Sequence, residues 1–461
     1  MKRFIMKRIS VVLSVLVTVY GLYAQDGPPP PDWSVTVSGY GKGAFTPIQY
    51  AGESKDASGN KTAAQTYTGL GASWGFQYPS LGLTVNAGSE TIGVHADVQF
   101  DKTGIAVGNN GYAYVKPFGF VSMKFGKYID GTLGGKVGGT DFSTFVLPEK
   151  GEDNIFTRFL SSENTSANAG YETSITVDGN SGKAEKGVLL FLTPIKGLTL
   201  GLNLPSMGQA VSGANTFPWG DKQTAAEYVW GNAQATAGYA IEGVGLVRAQ
   251  YVGVKNGVVN AGEWKLEDYV GGAPNSRVEA AFAYTGVQGL TLDVGGKYYL
   301  PTDGTYTDHG DVRSDYARGV VLALGAQYNG GGFGKGSYTI EGRVDGAFGG
   351  KYKVTPSGAS SAQDAENGIN LNAHLSPSYN LGVCTIGGDF GFELQSDNKV
   401  GGTEDKAGYT RLGAGIWFQK DLGVAKYIKA GVGAALPYTD NADNEHGIVI
   451  SVPIIFQYIF F

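Results

Sequence analysis

The chain of 461 residues holds a single cysteine, Cys384, so neither an intrachain disulfide nor a cysteine-based zinc site can form within it. Charge is scarce as well: 35 basic and 41 acidic residues leave a formal net charge of −6. That balance argues against nucleic acid as a partner and against a basic patch for membrane surfaces. Beyond the first two dozen residues, no apolar run approaches the ~18 residues that a spanning helix needs. Long stretches of Ala, Leu, Glu and Lys, the usual fillers of helices, are missing too. Proline is ordinary at 17, and no Gly-X-Y period appears, which excludes a collagen-like helix. Hydrophobic residues reach 42%, too many for wholesale disorder. What the chain has in excess is glycine, at 74 residues. Glycine costs ~1 kcal/mol against alanine inside a helix, so the composition favours a long β-protein.

Residues 1–24 read as a secretory leader. Lys2, Arg3, Lys7 and Arg8 form a basic start, Ile9 to Tyr23 an apolar segment, and Ala24 a small residue before the cleavage point. Residues 25–32, with Pro28 to Pro31, form a stiff proline-rich spacer. The domain proper is then 33–461. Without the leader, 31 basic residues (35 less its four) face 41 acidic ones, a net charge of −10.

The dominant periodicity is two. Ile92, Val94, Ala96, Val98 and Phe100 alternate with Gly93, His95, Asp97 and Gln99. Leu198, Leu200, Leu202 and Leu204 alternate with Thr199, Gly201 and Asn203. Tyr338, Ile340, Val344 and Phe348 share one face, while Thr339, Glu341, Arg343 and Asp345 share the other. Each segment is therefore a strand with one apolar and one polar face. A soluble sandwich turns the apolar face inward and a transmembrane barrel turns it to lipid, so alternation alone leaves both open.

The connections sort more sharply. Short turns carrying glycine fall at Pro117-Phe118-Gly119, Ile195-Lys196-Gly197, Ile241-Glu242-Gly243, Val287-Gln288-Gly289, Gly332-Phe333-Gly334, Asn380-Leu381-Gly382 and Asp421-Leu422-Gly423, with an earlier one near Gly82 or Ser89. Between them lie long polar loops: 51–65, 131–153, 206–223, 256–276, 302–314, 349–367, 396–406 and 439–445, with a shorter one after Asp101. Outer-membrane barrels alternate short periplasmic turns with long external loops in this way. Eight turns separate nine hairpins, which predicts an all-β, antiparallel, up-and-down transmembrane barrel of about 18 strands, within a range of roughly 16–20. The 78 residues from Gly119 to Gly197 leave room for a tenth hairpin. The last segment fits as well: Ile448, Ile450, Val452, Ile454, Phe456, Tyr458 and Phe460 share one apolar face, and Phe461 falls on the other with Ser451 and Gln457.

The stretch Tyr112-Ala113-Tyr114-Val115, the turn Pro117-Phe118-Gly119 and the strand Val121-Ser122-Met123-Lys124-Phe125-Gly126-Lys127 resemble the general porins of Gram-negative outer membranes. Porins carry a similar aromatic-Val strand, Phe-Gly turn and strand ending in Gly-Arg before their third external loop; Lys127 stands here in place of that arginine. In style the chain is also similar to the barrel-like outer-sheath proteins of spirochaetes. The resemblance implies an outer-membrane channel for passive diffusion of ions and small hydrophilic solutes. Its implied partners are membrane lipid, those solutes and the barrel-assembly machinery, and it leaves a homotrimer open. It also implies that the long third loop folds into the pore. Asp141, Glu149, Glu152 and Asp153 would then face a basic wall of Lys124, Arg248, Lys297 and Arg343. Charged rings of this kind set ion preference.

Other candidate sites are weaker. His95 and Asp97 share one polar strand face and read, with Asp293, Glu341 and Asp345, as lumen-facing polar residues rather than a catalytic pair. Asp303, Asp308, His309, Asp311 and Asp315 lack the spacing of a calcium loop and read as a solvated acidic loop. Gly330-Gly331-Gly332 lacks the Lys-Ser/Thr of a phosphate loop. Tyr298, Tyr328, Tyr338, Trp417, Tyr427 and Tyr458 suit interfacial girdles, with a sugar-binding track along the pore as the alternative. No enzyme activity, metal or cofactor is expected. The competing readings are a surface adhesin or structural barrel with ligand-binding loops, and a secreted soluble β-repeat protein.

Overall fold

A computed structural model describes residues 33–55, 59–71, 80–101, 104–127, 129–130, 177–178, 187–205, 207–208, 227–229, 232–254, 257–259, 277–300, 306–308, 311–314, 319–332, 336–348, 350–355, 358–366, 368–396, 398–406, 409–423, 426–436, 438–439 and 445–460. The leader, the spacer and the acids Asp141, Glu149, Glu152 and Asp153 lie outside these residues.

One antiparallel sheet of nineteen strand segments forms the body of the molecule. The segments occupy eighteen positions, because Gln65–Gly71 and Ser80–Gly88 pair with successive halves of the first strand and together make the second. In chain order the strands are β1 (Ser34–Ala51), β2 (those two segments), β3 (Ile92–Asp101), β4 (Gly104–Phe118), β5 (Val121–Lys127) and β6 (Gly187–Leu192). Then come β7 (Leu198–Pro205), β8 (Asn232–Ile241), β9 (Gly245–Val254), β10 (Arg277–Val287), β11 (Leu290–Tyr299) and β12 (Val320–Gly331). The last six are β13 (Ser337–Phe348), β14 (Asn370–Asn380), β15 (Thr385–Gln395), β16 (Tyr409–Gly423), β17 (Lys426–Leu436) and β18 (Val449–Phe460). Each strand pairs with its neighbours in sequence, and β1 also pairs with β18, from Gly39 opposite Phe460 to Ala51 opposite Val449. The pairings therefore return to their starting point. In lipid, which offers backbone groups no partners, that return leaves no open sheet edge.

The two faces settle what alternation could not. Outward positions are apolar and open: Leu322 is 53% exposed, Val344 54% and Ile416 63%. Inward positions such as Arg248, Gln250, Glu279, Asp293, Lys297, His374 and Asp389 are polar and buried. A soluble sandwich has the opposite arrangement. The fold is a transmembrane β-barrel.

Eight short connections lie at one end. Ser89 resolves the earlier ambiguity: it follows β2, its hydroxyl accepts from the amides of Thr91 (3.2 Å) and Ile92 (3.3 Å), and Gly82 sits inside the strand. At Gly289, φ is 79°, a conformation in which L side chains are strained. The turn expected at Asp421-Leu422-Gly423 falls slightly later, since β16 runs through Gly423 and pairs it with Lys426. A register shift between Asp421 and Gly423 absorbs the extra residue, so the ladder continues past the glycine. No tenth hairpin joins the ring between Gly119 and Gly197, because β5 pairs directly with β6, from Gly126 opposite Gly187 to Val121 opposite Leu192.

At the other end several expected loops carry strands of their own. Tyr306–Asp308, Asp311–Ser314, Lys351–Thr355, Gln363–Glu366, Asn398–Val400 and Thr403–Lys406 form a six-stranded sheet above β11 to β16. Tyr352, Val354 and Ala365 are buried in it, with Val400 packed against them. The acidic segment read as a solvated loop therefore includes a hairpin, with Asp308 opposite Asp311. Among the described residues, no group of three or more His, Cys, Asp or Glu is arranged to hold a metal.

Strand glycines also acquire a role. The Tyr40 ring lies over Gly82, Tyr114 over Gly93, Phe191 over Gly201 and Trp417 over Gly387. A Cβ on Gly201 would stand 2.7 Å from Phe191 Cε1. A missing side chain on one strand thus seats an aromatic ring from the next, the pairing that compensates for glycine in sheets.

Candidate functional site

Among the described residues, three polar groups stand out on the inward wall. On β9 to β11, Arg248 Nη2 donates to Asp293 Oδ1, and both side chains are fully buried. Beside them Arg277 Nε donates to Glu279 Oε1, and Lys297 Nζ lies 3.9 Å from the same oxygen. Register explains the meeting: Gln250 faces Glu279, which faces Lys297 on the next strand. Three cations and two carboxylates thus share one patch, where each sign reduces the cost of burying the other. The Nε and Nη1 atoms of Arg248 are buried without a hydrogen-bond partner among the described residues.

The second group spans β12 to β15. Ser376 Oγ donates to Asp389 Oδ1 at 2.6 Å, and His374 Nε2 stands 3.7 Å from that oxygen. Arg343 faces His374 across the β13–β14 ladder. Gln327 Nε2 donates to Glu341 Oε2 at 3.4 Å. Serine, histidine and aspartate meet here, with the serine hydroxyl donating to the carboxylate and not to the imidazole.

The third group lies on β2 to β5. His95 Nδ1 is 2.6 Å from Asn86 Oδ1 and its Nε2 is 3.2 Å from Asp97 Oδ1. Thr84 Oγ1 donates to Asp97 Oδ1 at 2.8 Å. The His95 ring stacks on Tyr112 with centroids 4.9 Å apart, and Lys124 Nζ sits 4.8 Å from the centroid of that tyrosine. These contacts orient polar side chains along the wall.

No family model matches the chain, and no curated protein does. Among solved structures, the chain is similar to an anion-selective porin from Comamonas acidovorans, with 13% identity over 93% of this chain and 100% of that one and a TM-score of 0.40. It is likewise similar to the outer-membrane protein OmpT of Vibrio cholerae, at 10% identity over 94% and 99% of the two chains and a TM-score of 0.39. Wzi of Escherichia coli, a carbohydrate-binding β-barrel involved in group 1 capsule assembly, gives 11% identity, 90% and 83% coverage and a TM-score of 0.43.

Of the residues singled out from sequence, Lys124, Arg248, Lys297 and Arg343 all lie on inward-facing positions, distributed over three polar groups. Arg248 and Lys297 belong to the first group, Arg343 to the second and Lys124 to the third. His95, Asp97, Asp293 and Glu341 also face inward. Asp345 faces Ala323 and Asn372 in register on the Arg343 side of β13, and its side chain lies outside the described residues. Trp417 departs from its expected girdle position. Its outward neighbours Ile416 and Phe418 are open, while its own ring lies under Lys429, 3.5 Å from Nζ to centroid, and over Gly387. Tyr298, at 49% exposure, does face outward.

Sequence reading missed Arg277, Glu279, His374, Asp389 and Lys429. Alternation in Arg277-Val278-Glu279-Ala280 already placed Glu279 on the polar face. Its meeting with Lys297 follows from the β10–β11 register, and that of His374 with Asp389 from β14 against β15. Neither register was read from the sequence.

Proposed function

We propose that this chain is an outer-membrane channel through which ions and small hydrophilic solutes diffuse down their gradients, without chemistry on the solute. The observation that carries the reading is the polar, charged inner wall of a ring of eighteen strand positions. Barrels of about 16–18 strands are wide enough to leave an aqueous channel. Both signs of charge line the wall, and their local field sets which ions pass. The leader supports export to the outer membrane, where lipid, the assembly machinery and the solutes are the partners. The accompanying assembly is a homotrimer, checked by the mass of the complex extracted in mild detergent.

Purified barrel added to planar bilayers is expected to give stepwise conductance, and a salt gradient gives the ion preference as a reversal potential. Absence of conductance from a barrel that still shifts its gel migration on heating would overturn the channel. That result would favour a surface-exposed adhesin or structural barrel. The six-stranded external sheet with its own buried cluster supports that second reading, because it offers a built surface in place of loose loops.

A further inference from the structure

On the lipid side of β12 to β17 lies a groove of about 690 Å³, within the roughly 300–1,000 Å³ range of small-molecule sites. Two rows in register build it. One runs Leu324, Val344, Ala373, Phe392, Leu412, Leu436, and the other Ala326, Gly342, Leu375, Phe390, Ala414, Ala434. Small residues lower the surface at Gly342, Ala373, Ala414 and Ala434. Around them Leu324, Leu375, Phe390, Leu412 and Leu436 stand 45–56% exposed. The groove is continuous with the outward apolar band of the barrel and sits in its loop-side half, since the strands are entered there near Leu412 on β16 and left near Leu436 on β17.

We propose that this groove is a seat for an acyl chain of a membrane lipid, held longer than the lipid around the rest of the barrel. The occupant follows from the medium and the shape. Hydrocarbon surrounds this face, an unfilled apolar groove forfeits dispersion contacts along its lining, and a flexible chain follows an irregular floor with no polar demand. The inference depends on the barrel spanning a membrane and not on whether its lumen conducts.

The test fills the groove. A Cβ on Gly342 would meet its nearest atoms at 3.6 Å and 3.7 Å, which is ordinary contact, so Gly342→Leu fits the backbone. Ala414→Phe raises the floor on the other side. Wild type, the double variant and an Ala237→Phe control on the outward face of β8 are reconstituted into vesicles of phosphatidylethanolamine and phosphatidylglycerol. They are then extracted into mild detergent, and retained phospholipid is counted by native mass spectrometry. Wild type and control are expected to keep bound phospholipid through washing that strips it from the double variant. Heat-dependent gel migration shows that each variant is folded, and a misfolded double variant is replaced by Ala414→Phe alone. Equal retention in all three overturns the proposal. So does a wild-type oligomer that the filled variant breaks into monomers without retained phospholipid, because a second copy would then occupy the groove.

Discussion

Arg248 and Asp293 show how a single pair sets the stability of the wall. Both are fully buried, so removing one charge leaves the other without compensation. Breaking a buried pair from one side costs about 3–5 kcal/mol, whereas replacing both partners by apolar groups is often neutral. Arg248→Met is therefore expected to lower the unfolding free energy of the barrel, read from urea titration in vesicles, by that order. Arg248→Met with Asp293→Val is expected to recover most of the loss. A double variant as unstable as the single would show that the arginine stem, and not the charge, holds this wall. Glycine gives a second contrast at the same scale. Gly387 lies under the Trp417 ring, so Gly387→Val overpacks the site and is expected to cost about 1–3 kcal/mol. Gly41 has nothing within 4 Å of an added Cβ, and Gly41→Ala is expected to stay within about 0.5 kcal/mol. The same urea titrations separate the two.

At the scale of elements, the short turns were legible and the external strands were not. Gly197 and Gly289, with φ of 85° and 79°, need a residue without a side chain, and that need is written locally. Strand faces such as Leu198 to Leu204 were equally readable, because a period of two needs no partner to be seen. The six-stranded external sheet joins segments from three separate connections, and its longest strand, Lys351–Thr355, has five residues. Each connection forms a short hairpin of its own, and the hairpins join through partners about 40 residues away, so polar composition masked them. The same gap hid the inward polar groups, whose residues were visible but whose meetings depend on register. Because the sheet buries its own cluster, it should loosen separately from the barrel. Tyr352→Ala removes the largest side chain of that cluster and is expected to speed proteolysis within residues 301–319, 349–369 and 396–408. Heat-dependent gel migration should be unchanged, and its loss would mean that sheet and barrel form one cooperative unit.

For the whole molecule, the seam between β1 and β18 matters more than any single ladder, because it joins the two ends of the chain's strand order. Phe456 sits opposite Gly43 on β1 and Ile428 on β17, so its strand is paired on both sides. Proline there removes a backbone donor and crowds the ladder, which a position in register on both sides does not tolerate; the strand's own Pro453 falls instead where the β1 register shifts, between Ile454 and Val452. In hydrocarbon, no water replaces the lost hydrogen bond. Phe456→Pro is therefore expected to abolish the heat-modifiable band and the conductance together. Ala359→Pro, in an exposed external connection, should leave both intact. If Phe456→Pro kept the band but lost conductance, the seam would gate an already formed barrel. If it kept both, the return of the ladder to β1 would not be what holds the ring in the membrane. The expected joint loss follows from closure itself: a sheet whose edges are open has no stable place in lipid, so an unsealed barrel has no pore to measure.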